Sequence, residues 1–258
     1  MILTIDRGNT KDKLAVFDKN DIIFADTVSE FNESKVKDLL NQFSISDAVY
    51  SSVRSKDANA ELENMFQHLG IKLYSAKTLL CEIEPRFQEN KISNKNTFIN
   101  NYSSKETLGE DRLVAVFAVW AMFEKSVLVI DAGTCITYDY LDENSIYQGG
   151  SIAPGFMIKY NALHNFTANL PLISRIDKVS LCGKTTQDCI ASGVINGTLS
   201  EIENIIEKYH KENSDIKVVL TGGDAEFISK NLQHKIEYVP DLLLYGLKNI
   251  LEIHAKEI

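Results

Sequence analysis

Apolar positions follow two rhythms along this chain, short runs broken by turn residues and stripes at helical spacing. Residues 2–5, 13–17 and 22–28 are apolar or alternating segments separated by turn residues at Gly8-Asn9 and at 18–21, which predicts an opening antiparallel meander. Val36, Leu39, Leu40 and Phe43 stand at i, i+3, i+4 and i+7, the stripe of an amphipathic helix, and Leu62, Met65, Phe66 and Leu69 repeat it. Each helix leads into a predicted strand, at 48–53 and 71–74. The stretch from Glu82 to Lys105 is irregular and polar and reads as a linker or lid. An apolar helix is predicted from Asp111 to Phe123.

The second half begins as the first did. Ser126 to Ile130 is an apolar strand ending at Asp131-Ala-Gly133-Thr134, and residues 136–141 turn back as the next strand. Asp6-x-Gly8-x-Thr10 and Asp131-x-Gly133-Thr134 each sit at a strand end before a hairpin, so the chain reads as two copies of one supersecondary unit. A glycine-rich loop at Gly149 to Gly155, a helix to about Asn165 and a long helix from Thr186 to Tyr209 follow. A strand at 216–220 runs into Thr221-Gly222-Gly223-Asp224-Ala225, and Pro240-Asp241 opens a last helix striped by Leu243, Leu247, Ile250 and Leu251. The class is α/β throughout.

Composition narrows the function. With 258 residues and 44% hydrophobic content the chain can bury a sizeable core in one large or two modest domains. Its charge is acidic, 36 Asp+Glu against 27 Lys+Arg, with no basic block, which argues against nucleic acid as a partner. No run reaches the ~20 apolar residues of a membrane span. The start, MILTIDRGNT, lacks the basic and long apolar regions of a signal peptide, so a cytoplasmic location is expected. Cys81, Cys135, Cys182 and Cys189 have neither C-x-x-C pairing nor disulfide spacing, and the five histidines are scattered, which predicts reduced thiols and no structural zinc. Cys135 is expected as a small buried strand residue, and the histidines as surface or helix-end residues.

Three glycine-bearing turns (6–10, 131–134 and 221–225) follow apolar strands, which places backbone N–H groups and hydroxyls at the carboxyl ends of strands, where α/β proteins bind ligands. Glycine lets backbone donors close around phosphate oxygens. Neither a P-loop nor a G-x-G-x-x-G fingerprint is present, so the nucleotide pointed to is held another way. A duplicated Asp-Gly-Thr turn before a hairpin resembles the actin, sugar kinase and Hsp70 group. Thr107-Leu-Gly109-Glu110-Asp111-Arg112, Asp131-Ala-Gly-Thr-Cys-Ile-Thr137, the Gly149–Gly155 loop and Leu170-Pro171 narrow the resemblance to the type III pantothenate kinases, along nearly the whole chain.

That resemblance implies two related ribonuclease H-like (actin-like ATPase) domains with mixed sheets flanked by helices, at 1–113 and 114–258, in a homodimer. It implies ATP-dependent phosphorylation of pantothenate at its primary hydroxyl, the first step toward coenzyme A. Asp6, Arg7, Gly8, Asn9, Thr10, Lys11, Asp12 and Lys13 correspond to the first ATP-phosphate turn, with Asp6 on Mg2+ and Lys13 on the phosphates. Thr134 corresponds to a second phosphate contact, and Gly222 and Gly223 to adenosine-facing glycines. Asp111 corresponds to the catalytic base, and Tyr102, Gly109, Glu110, Arg112 and Thr186 to the pantothenate site. Asp131 corresponds to the ligand of a monovalent cation, K+ or NH4+. Read from residues alone, Asp111-Arg112 has a lesser alternative as a capped helix start, whereas Tyr102 is equally a half-buried aromatic and Thr186 equally a helix N-cap. Three positions depart from the family pattern: Arg7 for a small apolar residue, Lys105 for a common proline, and Glu110, a carboxylate beside the base. Two rival readings of the same fold are a regulatory or transcription-accessory protein and a kinase with another acceptor.

Overall fold

The computed structural model describes residues 1–88, 97–174 and 178–256. It divides into two compact units, one of Met1–Glu124 with Asn144–Tyr147 and Asp241–Ile258, the other of Lys125–Glu143 with Gln148–Pro240.

In the first unit the meander forms as its alternation predicts: β1 (Ile2–Arg7), β2 (Asp12–Asp18) and β3 (Asp21–Val28) are antiparallel neighbours. Helix α1 (Glu33–Gln42) starts where the Asn32 side chain accepts the Lys35 N–H, and it leads into β4 (Asp47–Ser52), which lies parallel to β1 on its other side. Helix α2 (Lys56–His68), capped by Ser55, returns the chain to β5 (Lys72–Ser75), so the sheet order is β3-β2-β1-β4-β5. Leu3, Ile5, Leu14 and Val16 from one face of this sheet pack with Val36, Leu39, Leu62 and Phe66 of the two helices.

Part of the stretch read as linker is helical. Helix α3 (Ala76–Gln88) carries Pro85 inside it and buries Leu79, Leu80, Ile83 and Phe87, while 89–96 lie outside the described residues. After the short strand β6 (Ile99–Asn100) comes α4 (Glu110–Met122), whose Val114 to Trp120 are all buried.

The second unit repeats the pattern. Its strand β7 (Val127–Ala132) pairs antiparallel with β8 (Cys135–Leu141), which is followed by β9 (Ile146–Pro154). The predicted Gly149–Gly155 loop is therefore strand for most of its length. Gly150 lies so close to the Tyr138 backbone that a side chain has no room, the usual reason for glycine within a sheet. The first residues of β9, which count with the first unit, pair with β6. Helices α5 (Phe156–Asn165) and α6 (Thr186–Glu212) precede β10 (Lys217–Thr221), which lies parallel to β7 as β4 does to β1. Helix α7 (Ala225–Asn231) and the edge strand β11 (Glu237–Tyr238) complete the unit.

The last helix, α8 (Leu242–Ala255), belongs to the first unit, where it covers the second face of the sheet: Leu244 meets Ala15 and Phe17. Gly246 brings α8 against α4, since a Cβ there would lie 2.7 Å from the Val114 carbonyl. No helix among the described residues is long and apolar enough to cross a membrane.

Candidate functional site

The pleat of β1 and β2 sorts the first turn into two sets. Asp6 pairs in register with Lys13, and Arg7 with Asp12, so the two pairs project from opposite faces of the sheet. Arg7 and Asp12 turn inward. Arg7 Nη1 donates to the Ala58 carbonyl at 2.7 Å, and Arg54 donates from Nη2 to Asp12 at 2.6 Å and from Nε to the Gly8 carbonyl at 3.1 Å. Burial lowers the Arg7 pKa and raises that of Asp12, each opposed by the other's charge. These two side chains brace the turn from beneath. The turn itself closes with Gly8 N–H donating to the Lys11 carbonyl at 3.1 Å, leaving Asn9, Thr10 and Lys11 exposed.

On the other face, Asp6 Oδ1 accepts a 3.0 Å hydrogen bond from Ser51 Oγ, across the parallel β1–β4 pairing. Burial pushes the Asp6 carboxyl up to about 6; Asp111 adds to the rise, while Ser51 and Lys13 oppose it. The charge on Asp111 is therefore felt at Asp6. Lys13 lines a cavity of about 300 Å³ with Asp26, Thr27, Asp241 and Leu244.

Asp111 sits in the first turn of α4. Its Oδ1 accepts the Arg112 N–H at 2.8 Å and lies over Gly109. Gly109 is the N-cap and has no side chain to cap with, so acidic residues in the first turn supply the charge a helix start favours. Arg112 is 6% exposed, with its guanidinium 5.6 Å from the centre of the Tyr102 ring. Tyr102 in turn stacks on buried Tyr147, 6.0 Å between centroids and 9° between planes. The side chain of Asn100 accepts the Tyr102 N–H at 3.0 Å, fixing that segment. Glu110 engages backbone on two sides, accepting from Lys77 N–H at 2.8 Å and Ser52 N–H at 3.3 Å.

In the second unit Asp131 is the last but one residue of β7, paired with Thr137 and Thr221. Gly133 N–H donates to the Cys135 carbonyl at 2.9 Å, leaving Thr134 exposed at the turn. Gly155 N–H donates to the Thr134 carbonyl at 3.0 Å, and a Cβ on Gly155 would lie 2.5 Å from that same oxygen. Gly222, with φ +101°, has its backbone against the Asp131 carboxylate and the Ala132 carbonyl, too close for a side chain. Gly223 faces open space. Thr186 is exposed and is the first residue of α6, while the N-cap is its neighbour Thr185, in a reciprocal capping box with Asp188. Cys135 is exposed, not buried, and His254 is buried against Glu82 at 2.7 Å.

Asp6, Lys13, Tyr102, Gly109, Asp111 and Arg112 thus fall in the first unit, and Asp131, Thr134, Thr186, Gly222 and Gly223 in the second. Ser51, Arg54, Asn100 and Tyr147 escaped the sequence reading. Ser51 and Arg54 follow from the β1–β4 pairing, which no local pattern announces. Tyr147 lies in β9, a strand the sequence did not announce, so nothing pointed to its partner.

The family model for type III pantothenate kinase matches residues 2–208. A type III pantothenate kinase of Flavobacterium psychrophilum is 40% identical over 257 residues, 98% of this chain and 99% of that one. One from Christiangramia forsetii is 37% identical over the full length of both. Among solved structures, a protein of Campylobacter jejuni described as a Baf family transcriptional activator aligns at TM-score 0.59 and 22% identity, covering 98% of this chain and 99% of that one. A 2-dehydro-3-deoxygalactonokinase homologue from Sinorhizobium meliloti aligns at 0.54 and 11%, covering 98% of each. These two likenesses show the fold.

Proposed function

The chain belongs to the type III pantothenate kinase family, and from that premise we propose how its residues carry out the transfer. The reaction moves the γ-phosphoryl of ATP to the primary hydroxyl of pantothenate, the entry step to coenzyme A.

Asp111 accepts the hydroxyl proton as the oxygen attacks phosphorus. In so loose a transition state a base contributes modestly, and positioning with electrostatics contributes most. Arg112, over the Tyr102 ring, presents its guanidinium to the acceptor and to developing charge. Lys13 and the exposed turn at residues 8–11 bind phosphate oxygens in the first unit, and Thr134 does so in the second. Gly223, with open space where a side chain would be, lies against the adenosine. Thr186 offers its hydroxyl to pantothenate.

Asp6 fits a divalent cation, because burial and the neighbouring charge of Asp111 already disfavour its own charge. Mg2+ bound with the nucleotide would neutralise charge on the phosphates. Asp131, an oxygen ligand pressed by the Gly222 backbone, suits a hard monovalent cation such as K+ or NH4+.

The observation that carries the reading is the grouping in one unit of Asp6, Asp111 and the Arg112–Tyr102 pair. The same reading makes the enzyme a cytoplasmic homodimer. Large apolar side chains exposed in the second unit, Phe166 at 88% and Leu181 at 87%, are surface that a second copy would cover. The test is ADP release with Mg-ATP and pantothenate in K+ and in Na+, beside Asp111→Asn. Turnover that needs pantothenate and K+ and is lost in the variant is expected; pantothenate-independent turnover would assign another acceptor.

A further inference from the structure

Glu110 stands next to the proposed base, yet both of its carboxylate oxygens are engaged elsewhere. One accepts the N–H of Lys77 at 2.8 Å and the other the N–H of Ser52 at 3.3 Å. Lys77 is the second residue of α3, and its N–H is one of the donors a helix leaves without an internal partner. A carboxylate there also meets the positive end of the helix dipole. Ser52 closes β4, and the residue before it, Ser51, is the one that donates to Asp6. One side chain therefore joins the start of α4 to the strand that supports Asp6 and to the start of α3. A second tie runs from the segment preceding Gly109, where Lys105 pairs with Glu84 of α3 at 2.5 Å. The stretch from Lys105 to Glu110 is pinned to α3 at both ends.

Successive residues of a helix project about 100° apart, so Glu110 and Asp111 point to different partners from the same turn. Holding the one fixes the direction of the other.

We propose that Glu110 is a positioning residue for the phosphoryl transfer, clamping Ser52 and Lys77 so that Asp111 is held at a set distance from Asp6. It does not touch the acceptor. The inference rests on Asp111 acting as the base.

The experiment compares Glu110→Ala, Glu110→Gln, Asp111→Asn and the double variant Glu110→Ala/Asp111→Asn in steady-state kinetics with Mg-ATP and pantothenate, with thermal melts of each. Glu110→Ala is expected to lower kcat roughly 10- to 100-fold, the scale of a small misplacement at a reacting group, with KM for both substrates unchanged. Glu110→Gln, which keeps one acceptor oxygen, should fall between it and the wild type, and it carries the test if the alanine variant does not fold. In the Asp111→Asn background the alanine change should remove no further rate, because the group it positions is gone. A Glu110→Ala enzyme that melts earlier but keeps the wild-type kcat would make the clamp purely structural and overturn the proposal. A raised KM for pantothenate at unchanged kcat would make Glu110 an acceptor contact instead. If Asp111→Asn alone turns over normally, the base assignment falls and the clamp with it, whereas loss in Asp111→Asn with normal rates in both Glu110 variants defeats the clamp alone.

Discussion

A carboxylate oxygen of Asp111 stands where a side chain on Gly109 would have to go, for a Cβ built there would lie 2.5 Å from Asp111 Oδ1. The backbone at Gly109, φ −59° and ψ 132°, is one that any residue adopts, so the glycine is needed for space. Gly109→Ala should therefore fold normally and move the carboxylate. The expected result is a kcat reduced roughly 10- to 100-fold with a melting temperature close to the wild type. Kinetics and calorimetry on the same preparation check it.

Asp6 illustrates a site that costs stability. Its carboxyl is pushed to about 6 by burial and by Asp111, from an ordinary value of 3.8. An acid with a raised folded-state pKa is best tolerated below its unfolded value, and its contribution worsens as pH rises through the folded one. In nucleotide-free protein, Asp6→Asn should accordingly melt several degrees higher than the wild type at pH 8. The gap should close as pH falls from about 6 toward 4. A melting series across that range, which needs no substrate, decides it.

Gly222 combines a left-handed φ of +101° with the close approach of Asp131. Gly222→Ala meets both objections at once. It should destabilise the protein by about 1–3 kcal/mol and displace the Asp131 carboxylate, so that turnover loses its response to K+. Denaturant unfolding and a K+ titration measure the two effects separately.

The face of the Tyr102 ring lies against Arg112, and a face is what phenylalanine also provides. Tyr102→Phe should keep the contact with Arg112, while Tyr102→Leu should raise the pantothenate KM about fivefold, the equivalent of ~1 kcal/mol. Comparing the two KM values separates the ring from its hydroxyl.

Much of the architecture was legible because the amphipathic stripes are strong. Val36, Leu39, Leu62 and Phe66 land in the core their spacing implied, and the two Asp-Gly-Thr turns fall at equivalent strand ends. Helix α3 was hidden by Pro85, which breaks most helices but here sits within one. Strand β9 was hidden by Gly149 and Gly150, since close backbone contact and a loop use the same residue. Within the candidate site, sequence pointed to segments but not to the direction of each side chain. Arg7 and Asp12 belong to the first turn, yet the pleat sends them into the packing around Arg54. The departure of Arg7 from the family's small apolar residue becomes intelligible only as a buried ion pair with Asp12, with partners on α2 and in the loop before it. Lys105 for proline likewise makes sense only beside Glu84.

Helix α8 packs on strands made at the opposite end of the chain. During synthesis, β1 and β2 emerge well before residues 242–255, so Ala15 and Phe17 stay uncovered until α8, which follows directly on the second unit, has been released. The second unit, interrupted only at residues 144–147, has its whole sequence by Pro240, before the first unit has its last helix. A chain that stops before Leu242 would leave Ala15 and Phe17 without Leu244, and is expected to lose the first unit's fold although Asp6, Asp111 and Arg112 have all been made.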